Sequence, residues 1–158
     1  MRTKILLVGV MVVAAAVVTG SAVGVEIGVG TEPSVSFAAT WDLSPHLAVV
    51  TSFGAIFGHG VQTASSTLQT ASYTVGVEVR YSVRFATSIL RPYLAVGVYA
   101  YLGNGETSVK VSSSLGVQIQ MLPNVYLYSE GAVLVPILDS SGWTWRLEIG
   151  VGFRVVRF

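Results

Sequence analysis

The feature that most constrains this chain is a strict alternation of side-chain character between Ser72 and Phe85. Tyr73, Val75, Val77, Val79, Tyr81, Val83 and Phe85 take one parity, while Ser72, Thr74, Gly76, Glu78, Arg80, Ser82 and Arg84 take the other. A strand sends successive side chains to opposite faces, whereas a helix returns to the same face roughly every 3.6 residues, so the segment fits a strand with one apolar and one polar side. The pattern recurs from Thr107 to Met121, where Val109, Val111, Leu115, Val117, Ile119 and Met121 oppose Lys110, Ser112, Ser114, Gly116, Gln118 and Gln120. It recurs again near the end, with Trp143, Trp145, Leu147, Ile149, Val151, Phe153 and Val155 opposite Thr144, Arg146, Glu148, Gly150, Gly152 and Arg154.

Weaker alternation fills the gaps, and turn chemistry divides it. Strands are predicted at 24–31, 34–42, 46–57, 72–85, 90–102, 107–121, 125–137 and 143–158. They are separated by Thr31-Glu32-Pro33, Leu43-Ser44-Pro45, the Ser/Thr-rich stretch from Gly58 to Ala71, Ala86-Thr87-Ser88, Gly103-Asn104-Gly105, Leu122-Pro123-Asn124 and Leu138 to Gly142. Each connection holds Gly, Pro, Asn or Ser, the residues that turns select. Eight spans of about 10 residues fit this chain, whereas sixteen need about 160, more than its 158 residues. The expected fold class is all-β, a closed antiparallel eight-stranded up-and-down barrel.

The start of the chain reads as an address. Arg2 and Lys4 precede an uninterrupted apolar run from Ile5 to Val18, and small residues follow at Gly20, Ser21, Ala22 and Gly24. This is the layout of a secretory signal peptide, with cleavage after Ala22 or Gly24. The domain division taken is 1–24 as leader and 25–158 as barrel.

Composition then asks where the apolar surface goes. Hydrophobic residues make up 52% of the chain and charged residues 11%, against about 25% charged in a typical soluble domain. Beyond the leader no stretch approaches the roughly 20 apolar residues of a membrane helix, so any spanning must be done by strands. Cysteine is absent, which removes disulfides, thiolate metal sites and cysteine nucleophiles. The net charge of +1 offers no basic stripe for phosphate backbones, so nucleic acid is not an expected partner.

Three features place the apolar face outside. Aromatics gather near predicted strand ends, with Trp41, Tyr81, Phe85, Tyr93, Tyr126 and Phe158 at the short-turn end and Phe57, Tyr73, Tyr99, Tyr101, Trp143 and Trp145 at the other. Such girdles suit the two headgroup interfaces of a membrane. Of these, Trp41, Tyr73, Tyr81, Phe85, Tyr126, Trp143, Trp145 and Phe158 are expected at the membrane interface. Glycines lie mostly on the polar face, at Gly28, Gly54, Gly76, Gly97, Gly116, Gly150 and Gly152, as a narrow lumen filled by side chains requires. Strand charges fall on that same face, with the one exception of Arg157 at the rim, where its side chain can snorkel. Glu26, Glu78, Glu130 and Glu148 oppose Arg80, Arg84, Arg91, Lys110, Arg146 and Arg154, and a lipid-facing arginine at mid-bilayer costs about 2–4 kcal/mol. Glu26, Glu78, Arg80, Lys110, Glu130, Arg146, Glu148 and Arg154 are therefore expected to form a lumen charge network. Closure of the first strand on the last brings Glu26 and Arg154 together, by salt bridge or shared network.

The stretch Leu90-Arg91-Pro92-Tyr93-Leu94-Ala95-Val96-Gly97-Val98-Tyr99, the Leu122-Pro123-Asn124 turn before Val125-Tyr126-Leu127-Tyr128, and the terminal Phe158 resemble the small bacterial outer-membrane β-barrel proteins, a group that includes the opacity-like and OmpX/OmpW-like barrels. The resemblance covers the whole chain after the leader. It implies location in the outer membrane, lipid as the main partner, a monomer, and recognition by the barrel-assembly machinery of a C-terminal strand ending in Phe158. That phenylalanine shares the parity of Arg154 and Gly152, so either a bulge near Val155-Val156 turns it toward lipid or the assembly signal is atypical.

Catalysis and metal binding find little footing. His46 follows Pro45 in a short turn, and His59 lies in the longest loop beside Ser65 and Ser66; both read as solvated loop histidines. Gly28-Val29-Gly30 and Gly150-Val151-Gly152 are strand glycines, with no helix following to cradle a phosphate. The expectation is a non-enzymatic barrel without cofactor or metal, filled by side chains and serving a structural, envelope or surface-interaction role. Alternatives are a narrow pore for ions or small solutes and an exported soluble ligand-binding barrel.

Overall fold

Each alternating run folds into one strand of a single sheet. The computed structural model describes residues 22–31, 34–57, 71–85, 89–103, 106–137 and 142–156. Eight strands follow chain order and close into an antiparallel barrel: β1 (Ala22–Gly30), β2 (Ser34–Asp42), β3 (Leu47–Phe57), β4 (Ala71–Ser82), β5 (Leu90–Gly103), β6 (Glu106–Leu122), β7 (Val125–Pro136) and β8 (Thr144–Val156). The seam joins β1 to β8, with Ala22 opposite Val156 and Gly30 opposite Glu148. Closure removes the unpaired edges that an open sheet would expose.

The expected leader up to Ser21, His59 with Ser65 and Ser66, Arg157 and Phe158 lie outside the described residues. Ala22, Val23 and Gly24, assigned from sequence to the leader, are paired within β1.

Two boundaries have a physical cause. The fourth strand, expected to reach Phe85, ends at Ser82, whose partner is Tyr93. One step further the partner is Pro92, which has no N–H to donate; Val83 N still gives its hydrogen bond to Pro92 O at 2.9 Å, but the return bond cannot form. Of the two alternatives for the terminal strand, no bulge falls between Val155 and Val156, since the β1–β8 register runs unbroken through both described residues. An irregularity falls instead between Gln120 and Leu122, where the Gln120 amide donates to the carbonyls of Leu122, Pro123 and Val125 and gathers the tight turn.

The two faces separate by charge. Glu26, Glu78, Arg80 and Glu130 are buried inside, whereas Val25, Ile27, Phe53, Val79, Leu94, Val96, Leu115 and Ile149 are exposed outside. The outer surface is an apolar belt far larger than the patches of a few hundred Å² that soluble monomers leave uncovered.

The aromatics divide by parity rather than by nearness to strand ends. Tyr73, Tyr81, Phe85, Trp143 and Trp145 are exposed on the outer side. Trp41 keeps the outward parity but is only 8% exposed, packed with Val49 and flanked by Val23, Ala39 and Val77. Tyr126 is not at the membrane interface. It is buried in the lumen, as are Tyr93 and Tyr99, because each shares the parity of the interior carboxylates and finds a hydrogen-bond partner there.

Candidate functional site

The lumen is organised around tyrosines that face glycines. Register puts Tyr93 opposite Gly116, Tyr99 opposite Gly76, Tyr126 opposite Gly152 and Tyr128 opposite Gly150. In each case the ring lies where a side chain at the glycine would stand. An absent Cβ on one strand thus makes room for a ring from the next, which is how a narrow barrel accommodates large groups.

Lying across the lumen, each ring brings its hydroxyl to a carboxylate. Tyr93 donates to Glu130 Oε2 at 2.9 Å, Tyr99 to Glu78 Oε2 at 2.9 Å, Tyr126 to Glu26 Oε1 at 2.6 Å and Tyr128 to Glu148 Oε1 at 2.8 Å. Ser36 adds a second donor to Glu148 at 2.7 Å.

Two guanidiniums lock this layer. Arg80 donates to both oxygens of Glu26 at 2.7 and 3.2 Å and to Glu78 at 3.0 Å, and reaches Glu130 at 3.8 Å. Its guanidinium also lies 4.3 Å from the centre of the Tyr93 ring. Glu130 and Glu148 stand directly opposite each other across β7 and β8, a like-charge pairing that destabilises a sheet on its own. Arg146 relieves it, with ion pairs to Glu130 at 3.6 Å and to Glu148 at 3.7 Å, and it donates to the Tyr99 hydroxyl at 3.4 Å. Forked, charge-assisted contacts of this kind are the strong class of hydrogen bond.

The remaining residues expected in the network lie at its two ends. Arg154 sits toward the short turns, its guanidinium 5.3 Å from the Tyr126 ring centre and within 3.5 Å of Gln118 Oε1. Glu26 and Arg154 therefore meet through Tyr126, which hydrogen-bonds the first and carries the second on its face. Lys110 lies toward the long loops, where it reaches Thr144 Oγ1 at 3.4 Å and the Tyr101 ring at 5.1 Å. The tyrosines were missed as network members, although two signals mark them: they share parity with the carboxylates, and they pair with glycines.

These layers shape the interior space. The long-loop end opens into a vestibule of about 410 Å³, lined by Ser36, Tyr101, Lys110, Thr144, Arg146 and Glu148 among others. Below it the charge layer leaves a cavity of about 30 Å³, and the short-turn end one of about 10 Å³. Among the described residues, no group of His, Asp and Glu side chains is placed to hold a metal. His46 sits at the short-turn rim with Nδ1 3.0 Å from Ser82 O, away from the interior carboxylates.

No protein-family model matches the chain, and no curated protein matches it in sequence. Solved structures do match. The N-terminal β-barrel domain of Pseudomonas aeruginosa OprF aligns with a TM-score of 0.71 at 13% identity, covering 86% of this chain and 98% of that one. The fold is that of the small outer-membrane β-barrels. Neisserial surface protein A aligns with a TM-score of 0.56 at 16% identity, over 86% of this chain and 95% of its own. Ail from Yersinia pestis aligns with 0.57 at 11% identity, over 85% and 99%. A de novo designed transmembrane β-barrel aligns with 0.53 at 22% identity, over 86% and 97%. At such identities the likeness resides in strand number and closure, which alternation, turn chemistry and a glycine-relieved interior already require.

Proposed function

We propose that this protein is an integral outer-membrane barrel, exported by its N-terminal leader, with a lumen closed by its own side chains and a structural, envelope or surface-interaction role. The observation that carries this reading is the pairing of an apolar outer belt with a charge layer, Arg80 bound to Glu26 and Glu78, across the interior. An exported soluble barrel would need its polar face outward, opposite to the exposure of Leu94, Val96 and Leu115. The narrow-pore alternative is disfavoured by the fall from about 410 Å³ in the vestibule to about 30 and 10 Å³ below it.

The reading assigns no enzymatic step, cofactor or metal. The interior carboxylates accept from phenols, guanidiniums and the Ser36 hydroxyl, contacts that fit a lumen held together by its own side chains. The surface component of the role draws support from the likeness to a neisserial surface protein. Membrane lipid against the outer belt, a monomeric state, and delivery by the barrel-assembly machinery through the strand ending in Phe158 belong to the same proposal.

Fractionation tests it directly. The protein is expected to sediment with outer membranes, require detergent for extraction and run faster on gels unheated than boiled, as closed barrels do. Planar-bilayer recordings of the purified protein are expected to show no steady conductance. A species soluble without detergent defeats the membrane reading, and a reproducible open channel defeats the closed lumen.

A further inference from the structure

Among the described residues, the short-turn mouth of the barrel gathers Arg84, Arg91 and Arg154 around one carboxylate, that of Asp42. Arg84 lies two residues beyond β4, Arg91 stands near the start of β5 opposite Gln118, and Arg154 lies near the end of β8 opposite Gly24. Arg91 feels the positive fields of Arg154 and Arg84 and the opposing negative field of Asp42, one carboxylate among three guanidiniums. Arg154 donates to the Gln118 amide oxygen and lies over the Tyr126 ring.

Three of the six buried side-chain atoms left without a hydrogen-bond partner among the described residues belong to residues at or next to this mouth. Thr40 Oγ1, Arg80 Nε and Arg91 Nη1 are buried without a hydrogen-bond partner, and Thr40 is only 7% exposed. Thr40 and Arg80 line the same cavity of about 10 Å³ as Arg84, Gln118 and Arg154, with Asp42 and His46 also on its wall. That volume is about one probe sphere, enough for a single oxygen-sized group. Clustered like charges and unsatisfied buried donors each cost stability, and folded proteins rarely keep both without a partner.

We propose that the short-turn mouth binds a phosphate group. One phosphate oxygen enters the cavity toward Thr40 and the Arg80 Nε, and the others are held by the guanidiniums of Arg91 and Arg154, with Arg84 at the rim. The planar fork of arginine matches tetrahedral oxyanions, and several such forks around one point distinguish a phosphate from chloride. Inorganic phosphate and the headgroup of an anionic phospholipid share this chemistry. The site is separate from the vestibule, which opens at the other end of the barrel.

The test uses the full barrel, folded in a neutral phosphate-free detergent and titrated by calorimetry with inorganic phosphate, then with chloride at matched ionic strength. Saturable heat with phosphate and none with chloride is expected. Arg91→Gln and Arg154→Gln are each expected to weaken binding about tenfold, the scale of one lost charge-assisted contact. Lys110→Gln, at the opposite mouth, is expected to leave it unchanged. If a glutamine variant does not fold, Arg91→Lys and Arg154→Lys keep the charge but lose the fork, and they too are expected to bind more weakly. Nanodiscs of phosphatidylcholine with and without phosphatidylglycerol separate the sources. Loss of inorganic phosphate binding in the phosphatidylglycerol discs assigns the site to a headgroup, and retained binding assigns it to free phosphate. Equal responses to phosphate and chloride, or unchanged affinity in the arginine variants, overturn the proposal.

Discussion

Tyr93 lies directly across the ladder from Gly116, and its ring fills the space that a side chain at that glycine would occupy. The ring cannot simply swing aside, because its hydroxyl holds Glu130 at 2.9 Å and Arg80 stacks on its face. Gly116→Ala is therefore expected to cost about 1–3 kcal/mol, the scale of overpacking a filled core. Gly131→Ala is the control, since a methyl there meets only the end of the flexible Leu147 side chain at 3.3 Å. Urea unfolding in lipid, followed by tryptophan fluorescence, compares the two; equal losses would show that the ring and glycine are not coupled.

Arg80 serves several carboxylates at once, so its removal is expected to cost more than the loss of any one of them. Arg80→Met strands Glu26 and Glu78 in a buried layer, and breaking a buried pair from one side costs about 3–5 kcal/mol. Glu26→Gln keeps an oxygen for Tyr126 and Arg80 and is expected to lose less. Because the two residues are in contact, the double variant is expected to cost less than the two single losses added together, as a double-mutant cycle on the same unfolding signal will report. Simple additivity would mean that the forked contact contributes nothing.

The strands were legible because the membrane and the lumen impose opposite demands on alternate residues, and a period of two survives in the sequence wherever both demands act. The polar-face glycines and charges were legible for the same reason. Tyr126 was not, because nearness to a strand end was weighed above parity, although it shares parity with Glu130 and with no outward residue of β7. The partners of Arg80 were beyond reach for a different reason. Glu26 is 54 residues away and reaches Arg80 across the lumen, a contact fixed by strand tilt and stagger and not by any local pattern. Lys110 and Arg154 show the same limit: their parity placed them inside, but only their height along the strands separates them from the central layer.

The outer belt can be tested by a charge. Val96 lies midway along β5, between Val79 and Ser113, and is 59% exposed. In a bilayer, Val96→Arg is expected to destabilise the barrel by about 2–4 kcal/mol, the cost of arginine at the midplane. On a water-facing barrel the same exposed substitution would stay within about 0.5 kcal/mol. Folding titrations in phosphatidylcholine vesicles decide between these values, and a near-neutral result would remove the reason for placing lipid against this face.

The seam makes a prediction about processing. Cleavage after Gly24, one of the two positions that small residues allow, would remove Val23 from between Trp41 and Val155, and Gly24 from between Thr40 and Arg154. The neighbouring strands would then carry unpaired backbone groups at the short-turn end, and each ladder hydrogen bond lost there loosens the seam. Cleavage after Ala22 keeps both pairs and leaves Val23 packed beside Trp41 and Val49. The mature protein is therefore expected to begin at Val23, and a chain engineered to begin at Val25 is expected to lose its fast-running folded band at a lower temperature when samples are heated in steps before the gel. N-terminal sequencing of material recovered from membranes settles the first point. A mature terminus at Val25 with undiminished heat stability would show that the last rung of the seam is dispensable.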